Sequence, residues 1–253
     1  MIDLHSHIIP CIDDGPSDRL QFLRMANSAV SKGITRIVAT PHHLNGYFVN
    51  PKDKILQNVV QSNMYLKDEG IPLVIYPGQE LRIHRDMLKI QETDILTIGN
   101  KGKYLLLEMP SGEVPTYTRD IVYELMLRKI RPILVHPERN KHFQEEPSLI
   151  FDLLEEGALV QLTAGSILGH FGRRAKLFSE RIIKHKMVHL IASDAHNTNT
   201  RGFLLAEAYE AITQKHGIEY TFYLKENTEM VLNGQSILAE EVVPFRKRVF
   251  GYY

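Results

Sequence analysis

The chain sets histidines and carboxylates at spaced stations: His5-Ser6-His7, Asp14, His42, Glu80, Glu108, His136 and Asp194-Ala195-His196. Imidazole is a neutral nitrogen ligand and carboxylate a hard anionic one. Together they hold divalent transition metals, and the lack of thiolate disfavours a structural zinc site. Each piece alone is weak. His5 and His7 at i and i+2 of a strand share one side, yet such a pair also arises by chance. Asp13-Asp14-Gly15 reads as a turn, and Glu80 after Pro77-Gly78 as a surface carboxylate. Glu108 and Asp194 are less ordinary, because they follow the apolar runs Leu105-Leu106-Leu107 and Leu190-Ile191-Ala192. A carboxylate that ends a buried strand needs a cation or donors beside it. His84, His142, His170, His185, His189 and His216 read as packing or surface residues. His43 is set apart from them only by its neighbour His42.

What unites the polar stations is where they fall among the elements. Short apolar segments at Ile2 to His5, Ile34 to Ala39, Leu73 to Tyr76, Tyr104 to Leu107, Ile133 to Val135, Leu159 to Leu162 and Val188 to Ala192 read as strands buried on both faces. Amphipathic stretches lie between them, at Arg19 to Lys32, Asp53 to Lys67, Arg119 to Leu127 and Ala175 to His185. In the first, Leu20, Leu23, Ala26 and Val30 are expected on the core face. Gly33, Gly70 and Gly157 stand where helix C-caps belong. Seven strands with helices between most of them predict an α/β fold, a closed or nearly closed β/α barrel, with a doubly wound open sheet as the alternative. In a parallel barrel the ends of the strands share one face. Ligands scattered along the whole sequence would converge there.

Composition narrows the classes. The 253 residues carry 30 basic and 30 acidic side chains, which gives no general pull toward nucleic acid or lipid. No apolar run is long enough to span a membrane, and MIDLHSHIIP has no secretory pattern. The single Cys11 cannot pair within the chain and fits a reducing compartment. A cytoplasmic protein of one domain is expected, with a C-terminal tail from about residue 240 to Tyr253 that includes Arg246-Lys247-Arg248.

Taken together, His5-Ser-His7, His42, Glu80, His136 and Asp194-Ala-His196 resemble the signature of the PHP (polymerase and histidinol phosphatase) superfamily. The opening MIDLHSHIIPCIDDGPSD, with HPERN and IASDAHN later, is similar to one branch of it: the bacterial tyrosine-protein phosphatases of the CpsB/CapC/YwqE type. The resemblance runs from Met1 to about residue 235. It implies a distorted (β/α)7 barrel with three divalent ions, usually manganese. It assigns His5, His7, Glu80 and Asp194 to one ion, Glu80, Glu108 and His136 to a second, and Asp14, His42 and His196 to a third. It also implies that Arg139 and Arg201 bind phosphate, and that the substrates are tyrosine-phosphorylated proteins, a bacterial tyrosine kinase among them.

The chemistry agrees with that implication. Three divalent ions would outweigh the four carboxylates Asp14, Glu80, Glu108 and Asp194 by two charges, and with two arginines this suits a phosphate dianion. Iron or zinc fits the donor set as well as manganese. Cysteine phosphatases need arginine six residues after the nucleophile, and that position after Cys11 is Ser17. A small-molecule phosphatase, such as one acting on histidinol phosphate, would share the same centre. A metal-binding module without turnover would keep the ligands alone.

Overall fold

The computed structural model describes residues 1–89, 94–237 and 239–245. In chain order the elements are β1 (Ile2–Ser6), α1 (Arg19–Ser31), β2 (Arg36–Ala39), β3 (His42–His43), α2 (Lys52–Asp68), β4 (Val74–Pro77), β5 (Glu80–Arg82), β6 (Tyr104–Glu108), α3 (Thr118–Leu127), β7 (Arg131–Val135), α4 (Lys141–Glu145), α5 (Ser148–Glu155), β8 (Leu159–Thr163), α6 (Ala164–Leu168), α7 (Gly172–Lys184), β9 (Leu190–Ala192), α8 (Leu205–His216) and α9 (Ile218–Leu232).

All strand pairs are parallel. One ladder runs β1-β2-β4 and the other β3-β5-β6-β7-β8-β9. The second and third expected strands are β2 and β4, and each is followed after a break by a short strand that was not expected, β3 and β5; the sequence shows why the chain breaks there. Pro41 interrupts one with a residue that has no N–H to donate. Gly78 interrupts the other where the chain presses on its neighbour, since a Cβ there would lie 2.6 Å from Val38 Cγ1. Joined end to end, β2 with β3 and β4 with β5, the strands make the seven staves of a (β/α)7 barrel. Among the described residues, the seam between β9 and β1 has no ladder. It is spanned by a parallel bridge between Ser6 and Ala195, with Asp194 N–H donating to His5 O and His7 N–H to Ala195 O, both at 2.9 Å. The open-sheet alternative is set aside.

Side-chain alternation divides the core. Leu105, Leu107, Leu134, Val160, Leu162 and Ile191 face outward and pack with the helices. Ile2, Leu4, Val38, Tyr104, Leu106, Ile133, Val135, Leu159 and Leu190 gather inside the barrel, where Ile98, Ile237 and the α9 residues Val231 and Leu232 close the floor. α1 shows how the surrounding helices are fixed. Asp18 caps its start by accepting from Gln21 N–H at 2.8 Å. Gly33 ends it at positive φ, with Ile34 N–H reaching back to Ala29 O at 3.0 Å. The buried face is Phe22, Met25, Ala26 and Ala29, so the expected core position of Leu20 is corrected: it is 59% exposed. Leu20 stands in the first turn, off the buried face. Of the expected tail, Val243 N–H donates to His185 O, and Phe245 packs on the His185 ring. Arg246 to Tyr253 lie outside the described residues.

Candidate metal centre

Every polar station singled out in the sequence lies at the mouth of the barrel, on one side of the interior. His5 and His7 come from β1 and the residue just beyond it. The register of β1 shifts between Asp3 and Ser6. That irregularity lets Leu4 join the apolar floor while the next residue, His5, joins the mouth. Glu80 begins β5, Glu108 ends β6, His136 follows β7, and Asp194 and His196 follow β9. His42 opens β3, and Asp14 reaches in from the loop between β1 and α1.

The ligand atoms converge. His5 Nε2 lies 3.5 Å from Glu80 Oε1 and 3.4 Å from Asp194 Oδ1. His7 Nε2 lies 3.4 Å from Glu80 Oε2, from Asp194 Oδ1 and from His5 Nε2. Four ligands at bonds of about 2.1 Å in a tetrahedron stand about 3.4 Å apart, so the spacing fits one ion. Glu80 reaches the other members too. Its Oε1 is 2.9 Å from His136 Nε2 and its Oε2 is 2.7 Å from His42 Nδ1. Farther out, Asp14 Oδ1 lies 3.2 Å from His196 Nε2 and 3.6 Å from His42 Nε2. Donor atoms of His7, Asp14, His42 and His196 form one close group, those of His5, His7 and Glu80 a second, and those of His42, Glu80 and Glu108 a third.

Several of these atoms have no use within the protein. Among the described residues, His42 Nδ1, Glu80 Oε2 and His196 Nε2 are buried without a hydrogen-bond partner, although they lie at hydrogen-bonding distance from other members of the cluster. Orphaned buried donors and acceptors are costly. Their separations of 2.7 and 3.2 Å from carboxylate oxygens suit pairs of ligands that share one cation, which is the fit expected of a metal centre. Electrostatics says the same. Burial, and then the charge of Glu80, push the Glu108 carboxyl up to about 7. Burial also opposes the charge on Glu80, but the histidines around it outweigh that and hold its carboxyl well below the usual range. Burial and then Arg139 lower the His136 imidazole to about 4, leaving it a neutral ligand at physiological pH. His136 and Asp194 both have positive φ, at 39° and 53°. That conformation is strained for residues with a Cβ and is maintained where surrounding contacts demand it.

Partners outside the cluster orient the rings. His5 Nδ1 donates to Gln161 Oε1 at 2.9 Å, His7 Nδ1 to Asp13 Oδ2 at 2.6 Å, and His196 Nδ1 to Asp194 O at 2.9 Å. Each bond leaves Nε2 free toward the cluster. Neither Asp13 nor Gln161 stood out in the sequence. Asp13 was absorbed into a turn. The only trace of Gln161 was a polar residue inside the apolar strand Leu-Val-Gln-Leu. Of the remaining histidines, His189 is buried and its Nδ1 accepts from Val160 N–H, while His43 accepts from Asn50 N–H and His142 from Val114 N–H. All three serve packing.

The two expected arginines complete the wall. Arg139 Nη2 and Arg201 Nη2 meet on Asp194 Oδ2 at 2.7 and 2.8 Å. They line a cleft of about 260 Å³ together with His42, Glu80, Glu108, His136, Asp194, Met109, Ser111 and Asn140. Asn140 holds the Pro110 to Glu113 loop at its edge by donating to Pro110 O and Glu113 O.

A parallel β/α barrel of this topology places the chain in the class of β/α-barrel folds. A β-aspartyl dipeptidase from Fervidobacterium islandicum shares that fold at a TM-score of 0.56 with 15% identity, over 94% of this chain and 75% of its own. Within that class, the chain belongs to the CpsB/CapC family of capsular polysaccharide synthesis, whose model matches residues 1–233. It is 40% identical to the tyrosine-protein phosphatase YwqE of Bacillus subtilis over the full length of both. It is 27% identical to the tyrosine-protein phosphatase CpsB of Streptococcus pneumoniae, over 96% of this chain and all of that one. A crystal structure from work on YwqE and CpsB, described there as metal-dependent tyrosine phosphatases, superposes with a TM-score of 0.93 at 40% identity, covering 98% of this chain and 100% of the other.

Proposed function

We propose that this protein is a metal-dependent protein-tyrosine phosphatase. It acts on phosphotyrosine in proteins, a bacterial tyrosine kinase among them, and so serves capsular or exopolysaccharide synthesis. The observation that carries this reading is the meeting of Arg139 and Arg201 on Asp194 Oδ2, beside a buried cluster of imidazoles and carboxylates. His5, His7, Glu80 and Asp194 would hold one divalent ion, Glu80, Glu108 and His136 a second, and Asp14, His42 and His196 a third, with manganese the expected metal. Ions held there supply Lewis acidity, lowering the pKa of water and offsetting charge on phosphoryl oxygens.

The chain's own residues do the rest. Glu80 faces both His5 and His136 and ties two groups of ligands together. Arg139 and Arg201 offer planar forks that match phosphoryl oxygens, and a dianion in the cleft gives them a partner of higher charge than the Asp194 carboxylate. A tyrosyl leaving group departs as a phenolate with an ordinary pKa near 10, so it needs less help from an acid than an alkoxide does. No thiol takes part. Cys11 is exposed, its Sγ donates to Ser17 O at 3.0 Å, and it does not line the cleft. Hydrolysis therefore runs by direct attack of water, without a phosphocysteine.

The deciding experiment strips the protein of metal, reloads it with Mn²⁺, and compares kcat/KM for a phosphotyrosine peptide and for histidinol phosphate. Metal-dependent preference for the peptide is expected. Preference for histidinol phosphate would overturn the substrate assignment, and no metal-dependent release from either would overturn the enzyme reading.

A further inference from the structure

We infer that Asp13 is a positioning residue of this centre, whose carboxylate sets the His7 ring and the approach of Asp14 and His42 to it. The inference rests on the metal-centre reading above. An aspartate before Asp14-Gly15 has an ordinary explanation, since Asp13 Oδ1 accepts from Gly15 N–H at 3.1 Å and shapes the turn. That bond occupies only one oxygen. The other, Oδ2, accepts from His7 Nδ1 at 2.6 Å and from His42 N–H at 3.2 Å. One side chain thus touches the ring of one ligand, the backbone of a second, and the turn that presents a third.

Burial shows that this is not a surface turn. The Asp13 side chain is 1% exposed, against 44% for Asp14. A buried carboxylate is tolerated only where donors satisfy it, and two of the three donors on Asp13 come from candidate ligands. Asp14, being half in solvent, depends on its backbone for its placement. That backbone is pressed against β1, because a Cβ on Gly15 would lie 1.9 Å from His7 O. The turn can approach so closely only with glycine there.

His7 is the ring for which this matters most. His7 is a member of two close groups of candidate ligands, one with His5 and Glu80 and one with Asp14, His42 and His196. Its neighbour His5 is held at Nδ1 by the neutral amide of Gln161, whereas His7 is held by an anion. A carboxylate on Nδ1–H fixes the ring, selects the neutral tautomer in which Nε2 carries the lone pair, and makes that nitrogen a stronger donor to a metal.

The test uses the full-length protein stripped of metal and titrated with Mn²⁺, with bound metal counted per chain. Asp13→Ala removes the anchor, and Asp13→Asn keeps its shape without its charge. Asp13→Ala is expected to weaken the binding of at least one ion roughly 10–100-fold, with Asp13→Asn between it and the wild type. kcat should fall while KM for a phosphotyrosine peptide changes by less than about threefold, because the arginine wall is untouched. In zinc-loaded protein labelled with ¹⁵N-histidine, the wild type should show a low-field His7 Nδ1 proton that Asp13→Ala loses. Wild-type metal affinity in the folded variants overturns the role of Asp13 and leaves the metal centre standing. No metal on the wild type overturns both. If Asp13→Ala does not fold, Asp13→Asn decides by the same measurements.

Discussion

Along β6, Tyr104 and Leu106 face the apolar floor, and Glu108, two residues on, lines the cleft. Along β7, Ile133 and Val135 precede His136; in β1, Leu4 precedes His5. The same strands therefore build two regions of opposite character. The floor holds mainly branched aliphatic side chains, together with Tyr104, whose hydroxyl is satisfied by donating to Gln235 O at 2.7 Å. The mouth holds buried carboxylates, imidazoles and two residues at positive φ, and several of its atoms lack partners. The difference assigns the work: burial in the floor and under the helices drives folding, and the mouth spends stability on a charge arrangement that cations would complete.

Substitutions can break that division in order of effect. Glu80→Gln strikes the side chain that links both ends of the cluster and should lower kcat by roughly 10³-fold, about 4 kcal/mol, while the thermal unfolding of the metal-free protein stays cooperative. Activity within tenfold of wild type at full metal loading would refute its linking role. Ile133→Ala makes a cavity in the floor and should cost about 2–5 kcal/mol in chemical denaturation, with kcat per folded molecule nearly unchanged; a large loss of kcat would mean the two regions are not separable.

Arg139→Ala should reduce kcat/KM by about 10²-fold, about 2.7 kcal/mol, and weaken competitive inhibition by inorganic phosphate. Unchanged inhibition would remove Arg139 from phosphate binding. His189, buried just ahead of β9, offers a probe by pH away from the mouth. Burial, then Arg131, lowers its imidazole to about 3 from 6.5. The unfolded chain thus takes up a proton at His189 near pH 6.5 that the folded protein refuses, so stability is lost as pH falls below that value, by about 2 kcal/mol at pH 5. His189→Gln should flatten this decline in denaturant midpoints of the metal-free protein, and an identical slope would show that His189 accepts the proton when folded. Cys11→Ser, outside both regions, should leave activity within about twofold of wild type; near-complete loss in a folded, metal-loaded variant would sink hydrolysis without a thiol.

Much of the architecture was legible because burial leaves a periodic record. Uninterrupted runs such as Leu105-Leu106-Leu107 announce strands covered on both faces, and Gly33, Gly70 and Gly157, all at positive φ, announce helix ends. The breaks at Pro41 and Gly78 were written in the chain as well, but reading Gly78 as a break required its neighbour Val38. Leu20 misled because amphipathic spacing fits more than one helix face, and only the barrel wall chooses between them.

The candidate site divides the same way. Residue type and position alone singled out His5, His7, His42, Glu80, Glu108, His136, Asp194 and His196 as candidates, since a carboxylate or imidazole at the end of an apolar strand is costly and therefore conspicuous, whereas Asp14, which reads as part of a turn, came in only through the family resemblance. Asp13 and Gln161 were invisible, because their role is to touch His7 and His5, and Gln161 touches a ring 156 positions earlier in the chain. Sequence by itself determined which side chains are candidate ligands and roughly where most of them sit along their strands. Only the closed barrel decided which of them face one another, because lone pairs and charges interact over a few ångströms of space, whatever the number of residues between them.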